Sequence, residues 1–177
     1  MRLEMKTIRY GLNIAAAMVS ATVLTATAYS QTPAPTRIKL HNDWGAYSHS
    51  GTTGKICYVL SAPKEKRPQD RKHGDVYFML ARHPGATAAI EPQFTVEYPF
   101  KDESEVTLNI DGKEFAMFTR GSNAWMKNPD EEQTVVSAMR AGSKMMVSGT
   151  SRRGTNTSYD FSLSGVTASL KEIESCS

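Results

Sequence analysis

Along most of the chain the apolar positions come in short bursts rather than at helical spacing. Ile56, Cys57, Tyr58, Val59 and Leu60 form one continuous run, and Val76, Tyr77, Phe78, Met79 and Leu80 form another. Runs of that length, rich in β-branched and aromatic types, suit buried strands. Phe94, Val96 and Tyr98 alternate with Thr95 and Glu97, and Val106, Leu108 and Ile110 alternate with Thr107 and Asn109. A period of two is that of a strand with one covered face. Asp111 and Gly112 follow directly and lead into residues 113–120. An Asp-Gly pair between two strand-like runs predicts a tight hairpin, because both central residues need positive φ. Residues 144–151 and 157–163 predict a second hairpin around Arg152, Arg153, Gly154 and Thr155, and Trp44, Gly45, Ala46 and Tyr47 open the domain.

One segment carries helix punctuation. Asn128 suits a cap, Pro129 the first helical position, and Glu131 the third residue after the cap. Asp130, Glu131 and Glu132 place negative charge at the positive end of the dipole, and Val135, Val136 and Met139 supply an apolar face. Gly142 is expected to make a left-handed exit. This predicts a helix over 130–141, with a second short helical stretch at 166–173. At least seven short strands separated by turn residues predict an all-β chain, a β-sandwich with one or two short helices, the helix covering an edge or open end.

The first 28 residues change the setting of that domain. Arg2, Lys6 and Arg9 precede an apolar stretch over 14–24, and Ala26-Thr27-Ala28 offers small residues to a signal peptidase, a cut after Ser30 being the alternative. This three-part pattern reads as a secretory signal that is removed from the mature protein. The stretch is interrupted and shorter than the ~20 residues of a bilayer span, so no integral span is expected after its removal. No cysteine stands directly after either cut, which argues against a lipoprotein. Residues 29–39, with Pro33 and Pro35, read as an extended spacer, and 40–177 as the domain. The expected location is periplasmic or secreted. The full chain carries 21 Lys and Arg against 18 Asp and Glu, and the signal takes more bases than acids with it. A near-balanced mature charge argues against a nucleic-acid partner.

Both cysteines, Cys57 and Cys176, survive processing. In an oxidising compartment two cysteines in one small domain are expected to pair, two buried free thiols being the alternative. Closing a loop of that length contributes roughly 4–5 kcal/mol in the chain-entropy model.

The order of short motifs resembles the invasion-associated locus B proteins. Trp44, then Cys57-Tyr58 with Ser61 and Pro63, is similar to the start of that family. Phe115, Ala124-Trp125 and Ala138-Met139-Arg140-Ala141-Gly142 are similar to its middle. Val147, Ser151, Arg153-Gly154-Thr155, Tyr159-Asp160-Phe161-Ser162-Leu163, Gly165 and Cys176 are similar to its tail. The resemblance implies a bacterial exported protein with an immunoglobulin-like β-sandwich, and an association with host-cell invasion in pathogenic members. It brings no catalytic residues.

Candidate sites come from charge. Residues 64–73 hold Lys64, Lys66, Arg67, Arg71 and Lys72 against Glu65 and Asp70, a patch for acidic glycans, lipid headgroups or an acidic partner. A solvated loop is the plainer reading and is preferred. Arg152 and Arg153 at the hairpin tip suit phosphate or carboxylate, or stitch the turn, the latter preferred. His41, His49, His73 and His83 lack metal-binding spacing, and there is no GxSxG elbow. Glu97, Asp102, Glu103 and Glu105 are not fixed together by their spacing. The methionines read as core fillers rather than copper ligands, with Met145 and Met146 on opposite faces of one strand, and Trp44 and Trp125 as core anchors. No metal or cofactor is expected. The expected function is non-enzymatic binding to an envelope or host-cell component; the alternatives are an envelope hydrolase with an unrecognised cleft, or a periplasmic structural or assembly factor.

Overall fold

Strand pairing organises the whole domain. The computed structural model describes residues 34–51, 54–82 and 90–174; the signal segment, His83 and Cys176 lie outside the described residues. In chain order the strands are β1 (Thr36–His41), β2 (Trp44–Gly51), β3 (Gly54–Ser61), β4 (Glu65–Arg67), β5 (Val76–Arg82), β6 (Glu91–Val96), β7 (Glu105–Ile110), β8 (Lys113–Arg120) and β9 (Asn123–Met126). A 3-10 turn (Pro129–Glu131) then runs into α1 (Glu132–Ala141), followed by β10 (Lys144–Thr150), β11 (Asn156–Ser162) and α2 (Val166–Glu174). β1 begins inside the segment read as a spacer.

All pairings are antiparallel, in the order β1-β2-β3-β5-β6-β9-β8-β7-β10-β11-β4. The sheet folds over on itself. Phe78 of β5 meets Phe161 of β11 edge-on at 6.1 Å, and Phe94 of β6 meets Tyr159 of β11 at 5.5 Å, although these strands are far apart in the pairing order. Two facing layers with one shared interior form a β-sandwich, with the strands of both layers in one continuous pairing order rather than in separate sheets.

The interior follows from the alternation. In β7 the side chains of Val106, Leu108 and Ile110 are buried, and in β11 those of Thr157, Tyr159 and Phe161. β5, a continuous apolar run in sequence, alternates too: Phe78 is fully buried, whereas Tyr77 is 37% exposed. Met145 faces the core and Met146 the surface, as expected of neighbours on a strand.

The turns bear out the hairpin chemistry. Asp111 and Gly112 have φ of +45° and +94°, and the Asn109 side chain accepts from the Gly112 amide. Asn128 caps the helical segment by accepting from the Asp130 amide. Gly142 does not make a left-handed exit: its φ is −88° and its ψ 175°. A Cβ there would lie 2.7 Å from the Asp111 carboxylate, which accepts the amides of Ser143 and Lys144. Close approach, not positive φ, makes glycine the fitting residue.

α2 packs on β1, β2 and β3. Ser169, fully buried, donates to the Trp44 carbonyl at 2.8 Å, and the Trp44 indole donates to the Ser162 carbonyl at 2.9 Å. Trp44 thereby joins the first strands to the C-terminal elements.

Candidate functional site

Three segments converge on one polar cleft of about 720 Å³. The first is the loop after β4, with Asp70, Arg71, Lys72 and His73. The second continues β6 through Glu97, Tyr98 and Pro99. The third is the β10–β11 turn, with Ser151, Arg152, Arg153 and Thr155. Each is pinned by its own chemistry. The turn closes through Ser151 N–H to the Thr155 carbonyl (2.9 Å) and Gly154 N–H to the Ser151 carbonyl (2.8 Å), with Gly154 at φ +82°. The Arg152 amide donates to the Pro99 carbonyl at 2.9 Å, fastening the tip to the second segment.

The first loop is held by His73. One ring nitrogen, Nε2, lies 2.9 Å from the Pro68 carbonyl, and Nδ1 lies 2.8 Å from the Tyr159 hydroxyl. At Gly74 the chain turns with φ +63°, and a Cβ would fall 1.6 Å from the Glu97 carboxylate. That carboxylate accepts from the Asp75 amide, and Lys66 donates to the Gly74 carbonyl.

Polar groups line the cleft floor. The Tyr98 hydroxyl is 2.7 Å from both the Tyr159 and Thr157 hydroxyls, and Thr157 donates to the Gly149 carbonyl at 3.1 Å. Burial, with the Tyr98 hydroxyl alongside, pushes the Tyr159 phenol far above its ordinary range, so it stays protonated.

The basic residues singled out from sequence divide into two sets. Lys64 pairs with Asp43, and Lys66 is committed to Gly74. Arg67 bridges Asp160 (2.6 Å) and Glu65, and Asp160 holds its guanidinium still more firmly protonated. These three are engaged in stitching β4 to its surroundings, although Lys64 and Arg67 stay solvent-exposed. Arg71, Lys72, Arg152 and Arg153 instead line the cleft together. Arg71 is only loosely associated with Asp70 (3.8 Å), and exposed Arg152 reaches Asp102 at 3.2 Å. Lys72 and Arg153 make no ion pair or side-chain hydrogen bond among the described residues. Two basic segments, remote in sequence, thus share one opening.

His41 pairs with Glu172, while His49 lies in β2 away from the cleft. Ser151 accepts the Thr155 amide as a turn residue. Trp125 departs from its expected core role. It stacks on Phe118 at 5.7 Å beside a smaller hollow of about 330 Å³ that also includes Glu91 and Glu132. Desolvation, then the charge of Glu91, pushes the Glu132 carboxyl up.

Sequence reasoning missed Tyr98, Glu97, His73 and Thr157 as parts of one site. Tyr98 read as a core position of an alternating strand, and nothing in its spacing points to Tyr159.

Comparison with known proteins agrees with this architecture. A search of curated protein sequences returns no match. Among solved structures, the chain is similar to invasion associated protein B from Bartonella henselae, with a TM-score of 0.56 and 16% identity, covering 77% of this chain and 94% of that one. At that identity the likeness concerns the fold. The model of the Invasion associated locus B protein family matches residues 44–174, most of the sequence, and the chain belongs to that family.

Proposed function

We propose that this protein is exported and works without chemistry of its own, binding an anionic envelope or host-cell component through the cleft. The supporting observation is that Arg71 and Lys72 meet Arg152 and Arg153 around one opening. Two of the four cations lack a protein partner among the described residues, so an anion there need not displace an internal salt bridge from them. The hydroxyls of Ser151 and Thr155 add donors, as in sites where a few polar groups fix orientation. The family name connects such proteins with invasion, and attachment to an acidic surface molecule is one act that serves it.

Binding rather than turnover is favoured by the engagement of the groups a hydrolase would need. Both nitrogens of His73 are committed to Pro68 and Tyr159, leaving neither to activate Ser151, whose hydroxyl accepts the Thr155 amide.

Export rests on the N-terminal signal pattern and places the protein in the periplasm or outside the cell. A Cys57–Cys176 disulfide belongs to the same proposal. Cys57 is 1% exposed, its paired residue Arg82 donates to the Glu174 carbonyl at 3.1 Å, and Glu174 is two residues from Cys176.

The test is a binding titration with a heparin-derived hexasaccharide and with anionic phospholipid vesicles at low and high salt. Binding is expected to at least one, weakening with salt and falling in both Arg71→Ala/Lys72→Ala and Arg152→Ala/Arg153→Ala. Failure of both at low salt overturns the reading.

A further inference from the structure

The cleft floor contains more hydrogen-bond contacts than its neutral side chains have hydrogens. The chain starts at the Pro68 carbonyl, passes through His73, Tyr159, Tyr98 and Thr157, and ends at the Gly149 carbonyl. Both terminal oxygens only accept. His73 Nε2 must therefore donate to Pro68, and the Thr157 hydroxyl must donate to Gly149. Three contacts remain between them: His73 Nδ1 to Tyr159 at 2.8 Å, Tyr159 to Tyr98 at 2.7 Å, and Tyr98 to Thr157 at 2.7 Å.

Five contacts require five hydrogens. A neutral imidazole and three hydroxyls carry only four between them. A ring protonated on both nitrogens supplies the fifth. Every donor beyond Nδ1 then points the same way: His73 to Tyr159, Tyr159 to Tyr98, Tyr98 to Thr157, Thr157 to Gly149. With a neutral ring, one link becomes an oxygen–oxygen or nitrogen–oxygen contact with no hydrogen in it, in a place where the Tyr159 side chain is fully buried and His73 is 7% exposed.

We propose that His73 is the imidazolium at the floor of this cleft, and that anion binding and proton binding there are coupled. This rests on the reading of the cleft as an anion site and adds a fixed charge beneath the rim.

The surrounding groups decide the sign of the coupling. Asp70 and Glu97 line the cleft and favour the cation, while Lys66 lies nearby on the Gly74 carbonyl. Arg71, Lys72, Arg152 and Arg153 also line it, and oppose a further positive charge to the extent that solvent leaves them unscreened. An anion spanning those cations reverses their effect on the ring. Binding is reciprocal: if the anion favours the proton, the proton favours the anion by the same factor. The proton comes from solvent and no covalent bond changes.

Calorimetry of the purified protein tests this. The heparin-derived hexasaccharide and inorganic phosphate are each titrated in two buffers of different ionisation enthalpy. Across a two-unit pH span, binding of at least one is expected to take up a fraction of a proton per site at the alkaline end, where the free ring has begun to lose its proton, with affinity about tenfold higher at the acid end. His73→Gln, which keeps a donor and an acceptor but no charge, is expected to bind without uptake and with a flattened pH profile. Binding without uptake in the unmodified protein, or undiminished uptake in His73→Gln, overturns the coupling and leaves the anion site standing. No binding of either probe, nor of the anionic vesicles, overturns the anion site itself. Ring nitrogen NMR of the unliganded protein at the acid end of that span addresses the charge separately: two protonated nitrogens on His73 support the imidazolium, and one bare nitrogen with the network intact overturns it.

Discussion

The Tyr98 and Tyr159 hydroxyls lie 2.7 Å apart, and through them the wall of the cleft is tied to its buried floor. Tyr159 is fully buried and also meets His73 edge-on at 5.3 Å. Tyr159→Phe keeps the ring packing but leaves His73 Nδ1 and the Tyr98 hydroxyl each short of a partner. The expected loss is about 1–3 kcal/mol, the cost of buried polar groups left unsatisfied. Urea unfolding of the two proteins checks it; an unchanged midpoint would show that water replaces the hydroxyl without cost.

A second prediction concerns the end of the chain. Cys176→Ser is expected to lower stability by roughly 2–5 kcal/mol if the tail is clasped to Cys57. Thermal unfolding without reductant measures this, and a melting temperature equal to that of the parent protein would rule out a stabilising clasp. Non-reducing mass spectrometry gives the bond directly.

Acid sensitivity follows from two surface carboxylates. Asp43 is held below its ordinary range mainly by its hydrogen bond from Lys64, and Glu172 mainly by its hydrogen bond from His41, with Lys39 adding to it. A carboxyl depressed in the folded state contributes stability above its unfolded pKa of about 4 and loses it as pH falls through the folded value. The two carboxylates are half-buried at the surface and their lysine partners are 57% and 59% exposed, so solvent screens each pair and each contribution is small. Asp43→Asn with Glu172→Gln is expected to lower the melting temperature slightly at pH 7 and hardly at all near pH 2. An equal drop at both pH values would assign the effect to packing instead of charge.

Where sequence and structure agree, a local rule was sufficient. The alternation of Val106, Leu108 and Ile110 and the Asp111-Gly112 pair specify a half-buried strand and its turn without help from elsewhere. Asn128 caps its helix for the same reason. Where they part, the cause is tertiary. β4, read as a solvated loop, becomes a strand because β11 offers it an edge and Asp160 offers Arg67 a partner. Gly142 serves the close approach of Asp111, which no window around residue 142 reveals. The cleft was legible as charge but not as a place. Arg71, Lys72, Arg152 and Arg153 stood out as basic pairs, yet their meeting depends on the fold bringing the β10–β11 turn against Pro99.

The central claim, that an anion occupies this cleft, is tested most directly by backbone chemical-shift mapping with the heparin-derived hexasaccharide at low salt. The account predicts perturbations confined to residues 70–75, 97–100 and 149–157, moving together along one binding curve. Shifts that cluster elsewhere, such as around Phe118 and Trp125, or that scatter over the exposed lysines without saturating, would contradict it.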